Sequence, residues 1–199
     1  MTDLDPKAWI NLERASVLLL DDTIEGIGIL VQIASAFGVR TFHRCNSAEA
    51  AREICATIEI DLIIANANLK EESGYDFSEW LRRSKLEPNA FTPIILVTGH
   101  TQIGNIRKAR DCGANFIVAK PLSPSVLLER ITWVARERRP FVACQGYVGP
   151  DRRFHDMGPP EGEKGRRHDD VELVAEPDSA GADNEAPDQV FTEPKRAAR

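Results

Sequence analysis

Four short, continuous apolar runs punctuate the first two thirds of the chain: Val17 to Leu20, Leu62 to Ala65, Ile94 to Val97 and Phe116 to Ala119. Runs of about four residues without polar alternation predict strands buried on both faces of a parallel sheet. A fifth segment, Val39 to Cys45, interleaves Arg40, His43 and Arg44 with Val39, Thr41 and Phe42, the pattern of an edge strand. With strand starts at 16, 39, 61, 93 and 116, the spacings of 23, 22, 32 and 23 residues each leave room for a crossover helix.

Those gaps carry helical periodicity. Ile24, Ile27, Leu30, Val31, Ala34 and Phe37 fall on one side of a helical wheel before the stop at Gly38. Asn46 and Ser47 offer N-caps ahead of Ala51, Ile54 and Cys55. A fourth helix would use Ile103, Ile106 and Ala109. The last begins at Ser123 with Pro124 at its first helical position, turns Leu127, Ile131 and Val134 inward, and ends in arginines before Pro140. Alternating strands and helices predict an α/β fold, a doubly wound five-stranded parallel sheet flanked by five helices.

Charge divides the chain. Of 25 basic and 31 acidic residues, 8 and 13 lie in residues 140–199, which also hold 7 of the 12 prolines; residues 1–139 are nearly neutral. We therefore expect a folded domain over 14–136 behind a segment 1–13, an extension over 137–156, and a disordered acidic tail over 157–199. No run approaches the roughly 20 apolar residues of a membrane span, and the N-terminus has no basic, apolar leader. Cys45, Cys55, Cys112 and Cys144 stand apart without a CxxC pair, which suggests neither a zinc site nor a disulfide framework and fits a reduced cytoplasmic setting. An acidic chain is also a poor general binder of nucleic acid, and residues 140–199 show no helix-turn-helix pattern that would make it a DNA-binding regulator.

In an open parallel sheet, function gathers where the strands end and the loops diverge. There stand Asp21 and Asp22 after the first strand, Asn66 after the third, Thr98 after the fourth and Lys120-Pro121 after the fifth. The runs Leu20-Asp21-Asp22, Asp61 to Asn66 with Gly74 eight residues on, Pro93 to Thr98, and Gly113 to Pro121 together resemble the response-regulator receiver domain of two-component signalling, over about residues 14 to 136. The resemblance implies the flavodoxin-like strand order 2-1-3-4-5 and a bacterial phosphorelay protein. It implies an acidic pair (Asp21, Asp22) that holds Mg²⁺ together with the position of Asn68. It further implies a phosphoacceptor at the end of the third strand, and Thr98 and Lys120 as binders of the phosphoryl oxygens. Its partners would be a histidine kinase, a histidine phosphotransfer protein or another signalling protein. The Lys120-Pro121 bond is expected to be cis, a form that proline makes accessible.

Two positions depart from the family's pattern. The phosphoacceptor position is Asn66, whose amide nitrogen is no nucleophile and forms no acyl phosphate, and Glu71 and Glu72 lie out in the loop. With two carboxylates instead of three, Mg²⁺ binding is expected to weaken. The apo pocket also escapes part of a like-charge repulsion of roughly 4 kcal/mol per pair at about 4 Å and an effective dielectric near 20. The switch position three residues before Lys120, aromatic in the family, is Ile117, with Phe116 beside it. Ile117 could be plain core, and Phe116 could take the role only if the strand register slipped.

Candidate partner surfaces are Ile29 and Ile33 on the first helix, the basic patch Arg107, Lys108 and Arg110, and the extension. Residues 138–154 resemble an extension found in a subgroup of single-domain receivers, with Phe141, Tyr147 and the Gly149-Pro-Asp-Arg152-Arg153 run as its landmarks; its aromatic residues would pack back on the domain or anchor a partner. The functional expectation is a non-enzymatic, degenerate receiver acting by protein–protein contact. A regulator phosphorylated at another residue is one alternative. A phosphatase of the haloacid-dehalogenase type is another, but it needs Asp-x-Asp where this chain has Asp21-Asp22-Thr23.

Overall fold

Five strands form a parallel sheet in the order β2-β1-β3-β4-β5: β1 (Ser16–Leu20), β2 (Thr41–Cys45), β3 (Leu62–Asn66), β4 (Ile94–Thr98) and β5 (Phe116–Ala119). In the computed structural model the described residues are 12–99, 108, 111–136, 139–144, 146–151 and 172–175. Among them lie four α-helices: α1 (Ile24–Ala36), α2 (Ala48–Thr57), α3 (Gly74–Arg83) and α4 (Pro124–Arg136). The helix expected around Ile103, Ile106 and Ala109 lies outside the described residues, as does the segment 1–11.

Every residue of β3 and β4 is buried, whereas at the sheet edges β2 buries only Cys45 and β5, expected to be buried on both faces, exposes Ile117 and Ala119. The sheet divides the core in two. On one side Leu18, Leu20, Ile63, Ile94 and Leu96 meet Ala51 and Cys55 of α2 and Phe77 and Leu81 of α3. On the other Val17, Leu19, Ile64, Ile95 and Val118 meet Leu30, Ile33 and Ala34 of α1 and Leu127 and Ile131 of α4. Ser47 caps α2 by accepting from the Ala50 amide at 3.2 Å, and Thr23 caps α1 through Gly26 at 3.1 Å.

The first helix corrects two expectations. Ile33, placed on its outer side as a partner contact, is buried against the sheet; Ile24, placed on the inner stripe, is 86 % exposed. With Thr23 as cap, Ile24 is the first helical residue, and the buried stripe starts nearly two turns later, at Leu30.

Past α4 the chain builds a second, antiparallel sheet in the order β7-β6-β8, from β6 (Phe141–Cys144), β7 (Tyr147–Pro150) and β8 (Glu172–Ala175). Within 157–199 the described residues are Glu172–Ala175, which pair with β6. Phe141 and Tyr147, expected either to pack back on the domain or to anchor a partner, are buried in the chain's own interior. Phe141 meets Phe91 edge to face at 5.1 Å and covers the Arg82 guanidinium at 5.1 Å, while the Tyr147 hydroxyl donates to the Pro150 carbonyl at 2.7 Å.

Arg82 is the joint between the two sheets. Its Nε donates to the Gly113 carbonyl (2.9 Å), Nη1 to the Ala90 carbonyl (2.8 Å) and Nη2 to Asn115 Oδ1 (3.2 Å). Gly113 has φ +78°, and a Cβ there would meet the Val148 carbonyl at 2.5 Å and Arg82 Cγ at 2.7 Å, so only glycine lets β7 approach.

Burial sets an alkaline limit on this core. It raises the Cys45 thiol from its ordinary 9.0 to about 12, with Cys55 adding to the effect, and the Cys55 thiol to about 11. Folded values above the unfolded one mean that the unfolded chain ionises first. The stabilisation is therefore complete below pH 9 and is lost as pH climbs toward 11 and 12, at up to about 1.4 kcal/mol per pH unit per thiol. Arg82 has the opposite sign: desolvation lowers it from 12.5 to about 10, so the cost of burying its charge fades above pH 10. Urea midpoints are expected to fall from pH 9 upward, and to fall less steeply in a Cys45→Val, Cys55→Ala chain.

Candidate functional site at the strand ends

All five sequence-predicted pocket residues stand at or just after the carboxyl ends of strands: Asp21 and Asp22 after β1, Asn66 closing β3, Thr98 closing β4 and Lys120 after β5. Parallel pairing sets their neighbours. Leu20 lies opposite Ala65, Asn66 opposite Val97 and Thr98 opposite Ala119. The Lys120 amide donates to the Thr98 carbonyl at 2.7 Å, and the Lys120–Pro121 peptide is cis.

Asp21 is the most enclosed acid of the group. Its Oδ1 accepts from the Thr23 amide (2.9 Å) and the Thr23 hydroxyl (2.7 Å), and its Oδ2 faces Lys120 Nζ at 3.5 Å. Gly26 makes the room: a Cβ there would stand 2.3 to 2.5 Å from the Asp21 carboxyl group. Asp22 is half-buried and Lys120 reaches solvent along its stem.

Asn66 is buried, and its Oδ1 accepts the Asn68 amide at 3.1 Å. The Ala67 amide donates to the Val97 carbonyl at 2.8 Å, and Gly74 lies so close that a Cβ would reach the Asn66 carbonyl at 2.3 Å. The loop after β3 is therefore tied back to β4 and to the start of α3. Arg52 adds a clamp from α2, pairing with Glu72 of that loop and stacking on Trp80 of α3 at 4.9 Å. The sequence reading missed this clamp, since nothing in the spacing of residues 52, 72 and 80 joins them.

The donor set falls short of a three-carboxylate magnesium site. Asp21 and Asp22 supply two hard anionic donors, Asn66 supplies an amide, and Asn68 is exposed at the rim. Among the described residues no three acidic, histidine or cysteine side chains converge as a metal cluster.

Ile117 is 38 % exposed, so it is neither an aromatic switch nor a core residue. The strand has not slipped: Ile117 pairs with Leu96, and Phe116 turns to the opposite face, meeting Trp133 of α4 edge to face at 4.7 Å under Arg130. Of the proposed partner surfaces, Ile29 is 49 % exposed and Lys108 is exposed; Arg107, Arg110, Arg152 and Arg153 lie outside the described residues. Among the described residues no helix is long and apolar enough to cross a membrane.

Comparison with known proteins agrees with this geometry. Residues 17–132 match the response regulator receiver domain family. The polar-differentiation response regulator DivK of Brucella anthropi is 26 % identical over 116 residues, covering 58 % of this chain and 92 % of DivK. The transcriptional regulatory protein GltR of Pseudomonas aeruginosa is 29 % identical over 131 residues, 66 % of this chain; the chain spans about half (52 %) of GltR's own length. Among solved structures, a response regulator receiver protein from Pseudomonas putida superposes with a TM-score of 0.55 at 26 % identity, over 60 % of this chain and 97 % of that one. With more than half of its residues matched and the sheet order and cis peptide in place, the chain belongs to the receiver-domain family of two-component signalling.

Proposed function

We propose that this receiver acts in a phosphorelay by protein–protein contact and does not accept a phosphoryl group at the family's usual position. One observation carries the reading: the side chain closing β3 is an amide, Asn66, whose oxygen is engaged by the Asn68 amide. Acyl-phosphate formation needs a carboxylate oxygen as nucleophile, and Asn66 offers none. Lys120, the expected phosphoryl partner, lies 3.5 Å from Asp21 instead, which supports a pocket balanced without phosphate.

In this reading Mg²⁺ is held weakly by Asp21, Asp22 and Asn68, and the pocket has no catalytic residue. Bound Mg²⁺ would screen the two carboxylates; the protein's own contribution is the Thr23 and Lys120 contacts that hold Asp21 in place without it. The partner is a histidine kinase or histidine phosphotransfer protein, and exposed Ile24 and Ile29 beside the pocket offer it an apolar contact.

Binding to such a partner tests the reading. Calorimetric titration with a histidine phosphotransfer domain is expected to give the same affinity, within a factor of about two, with and without a small-molecule phosphodonor and Mg²⁺. A tenfold change on adding the phosphodonor would contradict it.

A further inference from the structure

An asparagine is one hydrolysis away from a carboxylate. In that reaction the backbone nitrogen of the following residue attacks the side-chain carbonyl carbon: an N–Cγ bond forms, the Cγ–Nδ2 bond breaks, and ammonia leaves carrying the proton that the attacking amide has lost. Water then opens the five-membered ring to aspartate or isoaspartate. At Asn66 this chemistry would place a carboxylate at the end of β3 in a chain whose gene encodes an amide there. The geometry around residue 66 therefore decides whether the amide is a passing or a lasting state.

Ring closure needs a free backbone nucleophile, a side chain that swings onto it, and solvent to take and supply protons. All three are opposed here. The nucleophile is the Ala67 amide, which is buried and donates to the Val97 carbonyl at 2.8 Å, where Asn66 lies in register with Val97 of β4. The electrophile is held as well, because Asn66 Oδ1 accepts the Asn68 amide at 3.1 Å. The start of α3 packs against the peptide unit between them. The Gly74 amide donates to the Ala67 carbonyl at 3.0 Å, and a Cβ on Gly74 would stand 2.3 Å from the Asn66 carbonyl oxygen, so that peptide has no room to turn. Residue 66 is only 7 % exposed, which keeps water from the carbon under attack.

We propose that the Ala67–Val97 hydrogen bond and the close packing of Gly74 lock residue 66 as an amide, so that the folded chain does not ripen into one with a carboxylate at the end of β3. The state of the pocket then lasts as long as the fold does. Backbone geometry alone sets the rate of deamidation, while the consequence for signalling rests on the reading of Asn66 as the acceptor position.

Peptide mass spectrometry tests this on the full-length chain, aged for weeks at mildly alkaline pH in its folded state and, in parallel, in guanidinium chloride. Aspartate and isoaspartate at residue 66 are expected to accumulate at least about twentyfold more slowly in the folded sample, because only molecules opened at Ala67 can react. Hydrogen exchange on the folded chain gives an independent readout: the Ala67 amide should exchange at least about a hundredfold more slowly than in the unfolded chain. A smaller ratio in the ageing experiment, or an Ala67 amide that exchanges at the unfolded rate, would overturn the proposal. The two possible failures are read apart. The lock fails by loss of the amide from the folded chain, and the non-acceptor reading fails by a phosphoryl adduct on a chain whose residue 66 is still an amide.

Discussion

Replacing Arg82 with alanine is expected to lower stability by about 3–5 kcal/mol, or on the order of 10–15 °C in melting temperature. The buried guanidinium is held by the Gly113 and Ala90 carbonyls, Asn115 Oδ1 and the face of Phe141. Desolvation lowers its pKa to about 10, so the site pays for holding charge and depends on those contacts to offset the penalty. Removing the side chain takes the donor from two buried carbonyls, those of Gly113 and Ala90, leaves Asn115 Oδ1 with the Ile94 amide alone, and opens a void under Phe141. Because Arg82 joins α3 to the starts of β4 and β5 and to the β6–β7 hairpin, its loss loosens all of them together. Lysine keeps a charge but has no planar fork to satisfy three acceptors, and is expected to recover less than half of the loss. Thermal unfolding of the Arg82→Ala and Arg82→Lys chains measures this; a loss under about 1 kcal/mol in the alanine variant would show that the hairpin and the domain are not coupled through Arg82.

Asn66→Asp is expected to change how the pocket responds to Mg²⁺. A third carboxylate at the end of β3 joins Asp21 and Asp22 and adds like-charge repulsion, so the metal-free variant should be less stable than the parent by about 1–2 kcal/mol, a fraction of the roughly 4 kcal/mol limit for one close pair. Mg²⁺ should reverse this: at about ten times its dissociation constant a ligand adds about 1.4 kcal/mol. The parent chain, with Asp21 already bound to Thr23 and facing Lys120, should shift its melting temperature little on going from chelator to millimolar Mg²⁺. Equal Mg²⁺ responses in the two chains would show that Asn66 does not limit the metal site.

Much of this was legible in the chain. Buried parallel strands need apolar side chains on both faces, so β1, β3 and β4 stood out as unbroken runs; β5 carried the same signal although, at the sheet edge, it leaves Ile117 and Ala119 exposed. What escaped reading depended on tertiary context. Ile29 and Ile33 lie four residues apart and differ in burial only because α1 meets the sheet through Leu30, Ile33 and Ala34. Arg82 sits beside Leu81 on α3 and is indistinguishable by pattern from Arg83, which faces solvent and pairs with Glu79; burial was decided by carbonyls contributed from residues 90 and 113. Whether Phe141 and Tyr147 pack on the domain or on a partner stayed open in the sequence because their cover, Phe91, Arg82 and Gly113, is distant along the chain. The four residues of β8 are too few, inside an acidic stretch, to signal a strand without β6 to pair with.

The central claim concerns one atom type at one position, and intact-mass spectrometry addresses it directly. The parent chain and the Asn66→Asp chain are each incubated with a small-molecule phosphodonor and Mg²⁺. The account predicts no phosphoryl adduct on the parent and a single acid-stable, base-labile adduct on the variant. A phosphoryl adduct of that lability on the parent chain would contradict it.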